Sequence, residues 1–106
     1  MLTKEIAINQ AKDFIKDCII SGINIEKAIL FGSVVNERFN EFSDIDIALI
    51  SSGFSENFVI NARMTSKINI KYPLIEVHHF NTEYFKKGDP FIDEINNTGV
   101  EIYKFY

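Results

Sequence analysis

The sequence predicts an α/β (α+β) fold, a small mixed β-sheet flanked by helices. Two observations predict it. Segments with apolar residues at helical spacing alternate with short hydrophobic runs bounded by glycine, proline or serine. In addition, 46% hydrophobic and 13% aromatic residues over 106 positions are enough for a real core. Residues 1–106 read as one domain, because with 2 prolines, 5 glycines and no repeat or long polar tract nothing marks a linker.

The first helix is expected after Thr3, a capping residue, with Ala7, Ala11, Phe14, Ile15, Cys18 and Ile19 making one apolar stripe and Gly22 as the stop. Lys27–Phe31 is short, hydrophobic and bounded by Gly32, which suits a buried strand. A turn at Gly32-Ser33 then feeds a short helix near Val34 to Arg38. The second strand runs from about Asp44 to Ile50, and alternation places Asp44, Asp46 and Ala48 on one face and Ile45, Ile47 and Leu49 on the other. Ser51-Ser52-Gly53 breaks it. Ser55 is the expected cap of a helix reaching Ile68, with Ile60, Met64 and Ile68 one turn apart and Pro73 marking its end. Leu74 to Phe80 fits a third strand, with Leu74, Glu76 and His78 on one face and Ile75, Val77 and His79 on the other. A helical turn around Glu83 to Lys86 follows. Asp89 and Pro90 then supply the cap and first residue of a helix to Asn97, ended by Gly99. Val100 to Phe105 alternates enough for an edge strand or an extended tail.

Composition excludes several functions. A net charge of −4 counts against a protein that neutralises a phosphate backbone, so no stable nucleic-acid binding is expected. The N-terminal stretch MLTKEIAINQAKDFIKDCIISG is interrupted by charge and has neither a signal-peptide core nor a membrane-spanning run, so the expectation is a cytoplasmic protein without membrane attachment. Cys18 is the only cysteine, which rules out an internal disulfide and suits a small buried hydrophobe. Tyr72, Tyr84, Tyr103 and Tyr106 are too scattered for a base-stacking platform and read as packing or interface residues.

The chemistry is carried by Gly32-Ser33 followed, after ten residues, by Asp44-Ile45-Asp46. Carboxylates at i and i+2 on a strand have Cα atoms about 6.5 Å apart and point the same way, so they can converge on oxygen-seeking metals. Phosphoryl-transfer sites often hold two such ions about 3.5–4 Å apart. Glu76 can join from the third strand, completing the cage and drawing the proton from an attacking hydroxyl. Gly32 lets backbone pass close to phosphate, and Ser33 offers a hydroxyl and an N–H at a helix start. Four fixed positions recur by chance on the order of once in a thousand chains of this size, so the spacing points to a nucleotidyl-transfer site. His78 shares the face of Glu76, but a polar strand-end residue is its simpler reading. His79 faces away.

At these residues the sequence resembles the minimal nucleotidyltransferase family of the DNA polymerase β-like superfamily, whose signature is Gly-Ser, ten residues, Asp-x-Asp. The resemblance extends through the LFGS strand, the SDIDIAL strand, the PLIEV strand and the closing helix with GVEIY. It implies a polymerase β-like fold and transfer of AMP from ATP to a hydroxyl, a tyrosine of a HEPN-domain partner, with this chain as the antitoxin. It also implies that Gly32 and Ser33 hold the β- and γ-phosphates, while Asp44, Asp46 and Glu76 hold two Mg²⁺ ions or Mn²⁺. Many relatives carry a basic residue after Gly-Ser, roughly GSRARG, where this chain has Val34, Val35, Asn36 and Glu37. Arg38 is the candidate nucleotide-binding cation in its place, against the alternative of a solvated helix-end arginine. The missing cation keeps open a second function, an antitoxin that only covers its partner. Adenylylation of a small molecule of the aminoglycoside type is a weaker alternative, since no residues remain for an acceptor-gripping domain. Homo- or hetero-oligomers are compatible with either reading.

Overall fold

The computed structural model describes residues 2–36 and 44–105. In chain order the elements are α1 (Lys4–Ile20), β1 (Lys27–Phe31), β2 (Ile45–Ser51), α2 (Phe58–Asn69), β3 (Ile75–Asn81), α3 (Thr82–Lys87), α4 (Pro90–Thr98) and β4 (Val100–Lys104). The strands make one mixed sheet in the order β3-β2-β1-β4. β1 is antiparallel to both neighbours, whereas β2 and β3 are parallel and joined through α2. Val100–Lys104 is therefore an edge strand, with its register against β1 shifting between Ala28 and Ile29.

Helix α1 forms because its start, its stripe and its end agree. The Thr3 hydroxyl accepts from the Ile6 N–H at 3.1 Å, and Ala7, Ala11, Phe14, Ile15 and Cys18 are buried. At the far end Gly22 N–H donates to Ile19 O and Ile23 N–H to Cys18 O, a closure that needs the left-handed conformation Gly22 adopts, with φ 103°. Ile19, expected in the stripe, is 39% exposed. It lies at the last turn, where it lines a small apolar pocket with Ile20 and with Ile102 and Tyr103 of the edge strand.

Each face of the sheet has its own core. On one, the α1 stripe and Ile68 of α2 pack against Ala28, Leu30, Ile45, Ile47, Leu49 and Ile75. On the other, Phe85 of α3 and Ile92 and Ile95 of α4 pack against Ile29, Phe31, Ala48 and Ile50. Central strand β2 is thus covered on both sides, which is why SDIDIALI is nearly continuous in apolar residues. Its only residue that is not buried is Asp46.

Two expectations about α2 are corrected. Its cap is Asn57, whose Oδ1 accepts from the Val59 and Ile60 N–H groups at 3.0 and 3.2 Å; Ser55 sits in the preceding turn and accepts from Asn57 N–H. Its buried face is Asn61, Thr65 and Ile68, while Ile60 and Met64 are exposed at 51% and 38%. The polar pair can be buried because each has a partner. Asn61 accepts from Ser55 N–H and donates to Ser55 O, both at 2.8 Å, and the Thr65 hydroxyl meets His79 Nε2 at 2.9 Å. Leu74 is corrected as well. It precedes β3, so strand alternation does not apply to it, and it packs against the α1-side core, away from Glu76. No helix among the described residues is long and apolar enough to cross a membrane.

Candidate active site

β1 ends at Phe31, and the chain turns at Gly32 with φ +82°, a conformation that only glycine adopts without strain. The Val35 and Asn36 N–H groups both donate to Gly32 O at 3.2 Å, closing one tight turn. The expected helix from Val34 is a turn through Asn36, and Arg38 lies outside the described residues. Gly32 also lacks a side chain for a spatial reason. A Cβ at this position would collide with Asp46 Oδ2 and come within 3.2 Å of Asp46 Cγ. The turn and the acid are therefore in direct contact.

Asp46 stands opposite Phe31 on β1 and in register with Glu76 on β3. Asp44 immediately precedes β2 and lines the same groove as Glu76. The structure thus brings Asp46 and Glu76 together beside Gly32, while Asp44, expected as the third member of the cage, borders Glu76 in the groove but lies outside the cluster of ligand atoms. Partial desolvation raises the Glu76 pKa first, then the negative charge of Asp46; His78 opposes the shift, while the charge of Asp44 adds to it. The groove is open, about 590 Å³, and runs between β3 and α2 past Thr65, Ser66 and Asn69. The apolar pocket at α1 and β4, about 300 Å³, contains no carboxylate and lies away from this chemistry.

His78 does not behave as a simple strand-end residue. Its Nε2 lies 3.2 Å from Asp46 Oδ1, and its ring is held edge-on by Phe31 at 5.0 Å and Phe91 at 5.8 Å. Ligand atoms of Asp46, Glu76 and His78 all lie within 4.8 Å of one another, the one such His, Cys or acid cluster among the described residues. The sequence signal was present in the i, i+2 relation of Glu76 and His78, but the strand pairing that brings Asp46 to both was not. His79 faces the other side, where burial first and the charge of His78 second lower its pKa to about 4.

Comparison with known proteins adds the following. The family model described as "Polymerase beta, Nucleotidyltransferase" matches residues 9–105. A solved structure of a candidate nucleotidyltransferase from Sulfolobus solfataricus superimposes with a TM-score of 0.73 at 20% identity, covering 95% of this chain and 83% of that one. A toxin–antitoxin complex solved with AMP-PNP gives 0.62 at 16% identity, with 88% and 73% covered. A complex of tri-AMPylated Shewanella oneidensis HEPN toxin with MNT antitoxin gives 0.57 at 14% identity, with 97% and 74% covered. At these identities the likeness is one of fold. No curated protein matches the sequence.

Proposed function

The chain belongs to the polymerase β nucleotidyltransferase family, and from that premise we propose that it transfers AMP from ATP to a tyrosine hydroxyl of a HEPN-domain partner, acting as its antitoxin. One arrangement carries this reading: Gly32 lies against Asp46, Asp46 is in register with Glu76, and Asp44 lines the same groove as Glu76. The tri-AMPylated HEPN toxin held by an MNT antitoxin supports the acceptor class, and the toxin–antitoxin complex with AMP-PNP supports the nucleotide class.

Asp44, Asp46 and Glu76 offer carboxylate oxygens of the kind Mg²⁺ and Mn²⁺ take, and the clustering around Asp46 and Glu76 fits a divalent ion. When bound, such ions would neutralise triphosphate charge and stabilise the leaving pyrophosphate. Gly32 lets the Asp46 carboxylate come up against the turn, and Ser33 would offer its N–H and hydroxyl to the β- and γ-phosphates. Glu76 takes the proton of the attacking hydroxyl as the oxygen–Pα bond forms and the bond from Pα to the bridging oxygen of pyrophosphate breaks. A reaction that draws on ATP would take place in the cytoplasm.

The test uses the chain, its HEPN partner, ATP labelled at the α-phosphate, and Mg²⁺ or Mn²⁺. Label is expected on a partner tyrosine, and the Asp44→Asn, Asp46→Asn double variant should transfer none. Absence of label, with the double variant still neutralising the partner, would replace transfer by simple covering. Label on an aminoglycoside and on no protein would move the acceptor to a small molecule.

A further inference from the structure

We propose that His78 is a direct ligand of the metal site, so that the site selects a first-row transition ion, Mn²⁺, over Mg²⁺; this rests on the metal-dependent reading above. The geometry supplies the first argument. His78 Nε2 and Asp46 Oδ1 are 3.2 Å apart, close to the roughly 3 Å that separates adjacent ligands around one ion with bonds of about 2.1–2.2 Å. Glu76 completes a set whose ligand atoms all lie within 4.8 Å of one another.

The second argument is that the ring is placed in advance. On the same face of the sheet, the residue paired with His78 is Ala48, whose single methyl leaves room for the imidazole to lean toward Asp46 one step along the strand. Phe31 and Phe91 then hold the ring edge-on, with interplanar angles of 62° and 63°. Phe31 is itself the β1 partner of Asp46, so one local packing unit fixes both donors. Asp46 Oδ2 faces Gly32 while Oδ1 faces His78. One carboxylate can therefore connect the phosphate turn to the imidazole.

The third argument is chemical. Mg²⁺ takes oxygen ligands in a strict octahedron and keeps much of its water, so an imidazole in the ligand set disfavours it, whereas Mn²⁺ takes carboxylate oxygens too but, as a first-row transition ion, accepts a nitrogen beside them. A lone pair at Nε2 requires the proton on Nδ1, so ion binding fixes that tautomer and replaces the contact between Nε2 and Asp46. His79 cannot take part, because it faces α2 and is bonded to Thr65.

The experiment titrates the metal-free chain with Mn²⁺, following the signal of the free ion by electron paramagnetic resonance, with Mg²⁺ as competitor. Pulsed measurements on bound Mn²⁺ then detect directly coordinated nitrogen. The wild-type chain should bind Mn²⁺ about tenfold or more tightly than Mg²⁺ and show nitrogen coupling. His78→Phe, which refills the aromatic cage, and His78→Gln, which keeps an N–H donor for Asp46, should both lose the coupling and most of the preference. Absence of nitrogen coupling in the wild type overturns the proposal, independent of how any variant folds. A Mn²⁺ preference retained by His78→Gln also overturns it, leaving His78 as a residue that only positions Asp46. Failure of the wild type to bind either ion would overturn the metal-dependent reading itself, whereas binding without Mn²⁺ preference overturns only the role of His78.

Discussion

Gly32→Ala isolates the contact on which the site depends. The new side chain meets two obstacles. A left-handed backbone, here φ +82°, costs an ordinary L-residue about 1–2 kcal/mol. The Cβ also runs into the Asp46 carboxylate, which must rotate away from its packed position at about 0.5–1.5 kcal/mol. The expected loss, read from urea unfolding at fixed pH, is about 2–3 kcal/mol in the wild-type background. In an Asp46→Ala background the carboxylate is gone and the nearest remaining atom, Asp46 Cβ, is at an ordinary 3.4 Å. There the same change should cost only the backbone share, about 1–2 kcal/mol, leaving a coupling of about 1 kcal/mol between the two positions. Mn²⁺ affinity should fall in Gly32→Ala as well, because Asp46 no longer faces the turn. Losses equal within about 0.5 kcal/mol in the two backgrounds would refute the argument, since they would mean that the turn and the acid do not touch.

Two further outcomes test the frame around the site. Burial holds His79 neutral with a pKa of about 4, against an ordinary 6.5, so below about 6.5 the unfolded chain binds a proton that the folded chain refuses. Stability should therefore fall as pH drops from 6.5 toward 4 and level off below. His79→Gln, whose amide can still reach Thr65, should flatten that fall in urea midpoints taken across the window, and an unchanged profile would contradict the assignment. Asn61→Ala removes both 2.8 Å bonds to the Ser55 backbone and should lower unfolding stability by about 2 kcal/mol. A loss below about 0.5 kcal/mol would mean that the Ser55 turn finds other partners, including water.

Where local rules decide a structure, the sequence was sufficient. Lys27–Phe31 is bounded by charge on one side and glycine on the other, and the strand has those limits. Asp89, Pro90 and Gly99 set α4 because a cap, a fixed φ and a helix stop act within one turn. The face of α2 was not legible in this way. Counting apolar spacing favours Ile60 and Met64, yet Asn61 and Thr65 are buried through partners six and fourteen residues away. Such bonds depend on tertiary pairing, which periodicity does not contain. The site shows the same division. Alternation along single strands puts Asp46 on one face of β2, and Glu76 and His78 on one face of β3. The register between strands, which pairs Asp46 with Glu76 and Ala48 with His78, brings His78 into the cluster, and nothing local specifies it.

The convergence of the acids follows from the topology of three strands. Because β1 and β2 are antiparallel, the end of β1 at Phe31 lies beside the start of β2 at Asp46. Because β2 and β3 are parallel, the start of β3 at Glu76 lies beside that same point. The turn and the acids therefore meet at one end of the sheet, where side chains can reach solvent. The rest of β2 is buried on both faces and holds the fold together. This separation lets the chain tolerate a cluster that opposes itself: neighbouring negative charge contributes to the raised pKa of Glu76, so the acids gain little from one another in the absence of cations. Their arrangement is maintained by Ile45, Ile47 and Leu49 beneath them. Repulsion among the carboxylates then favours binding of a positive ion beside the Gly32 turn, the point at which the proposed reaction needs one.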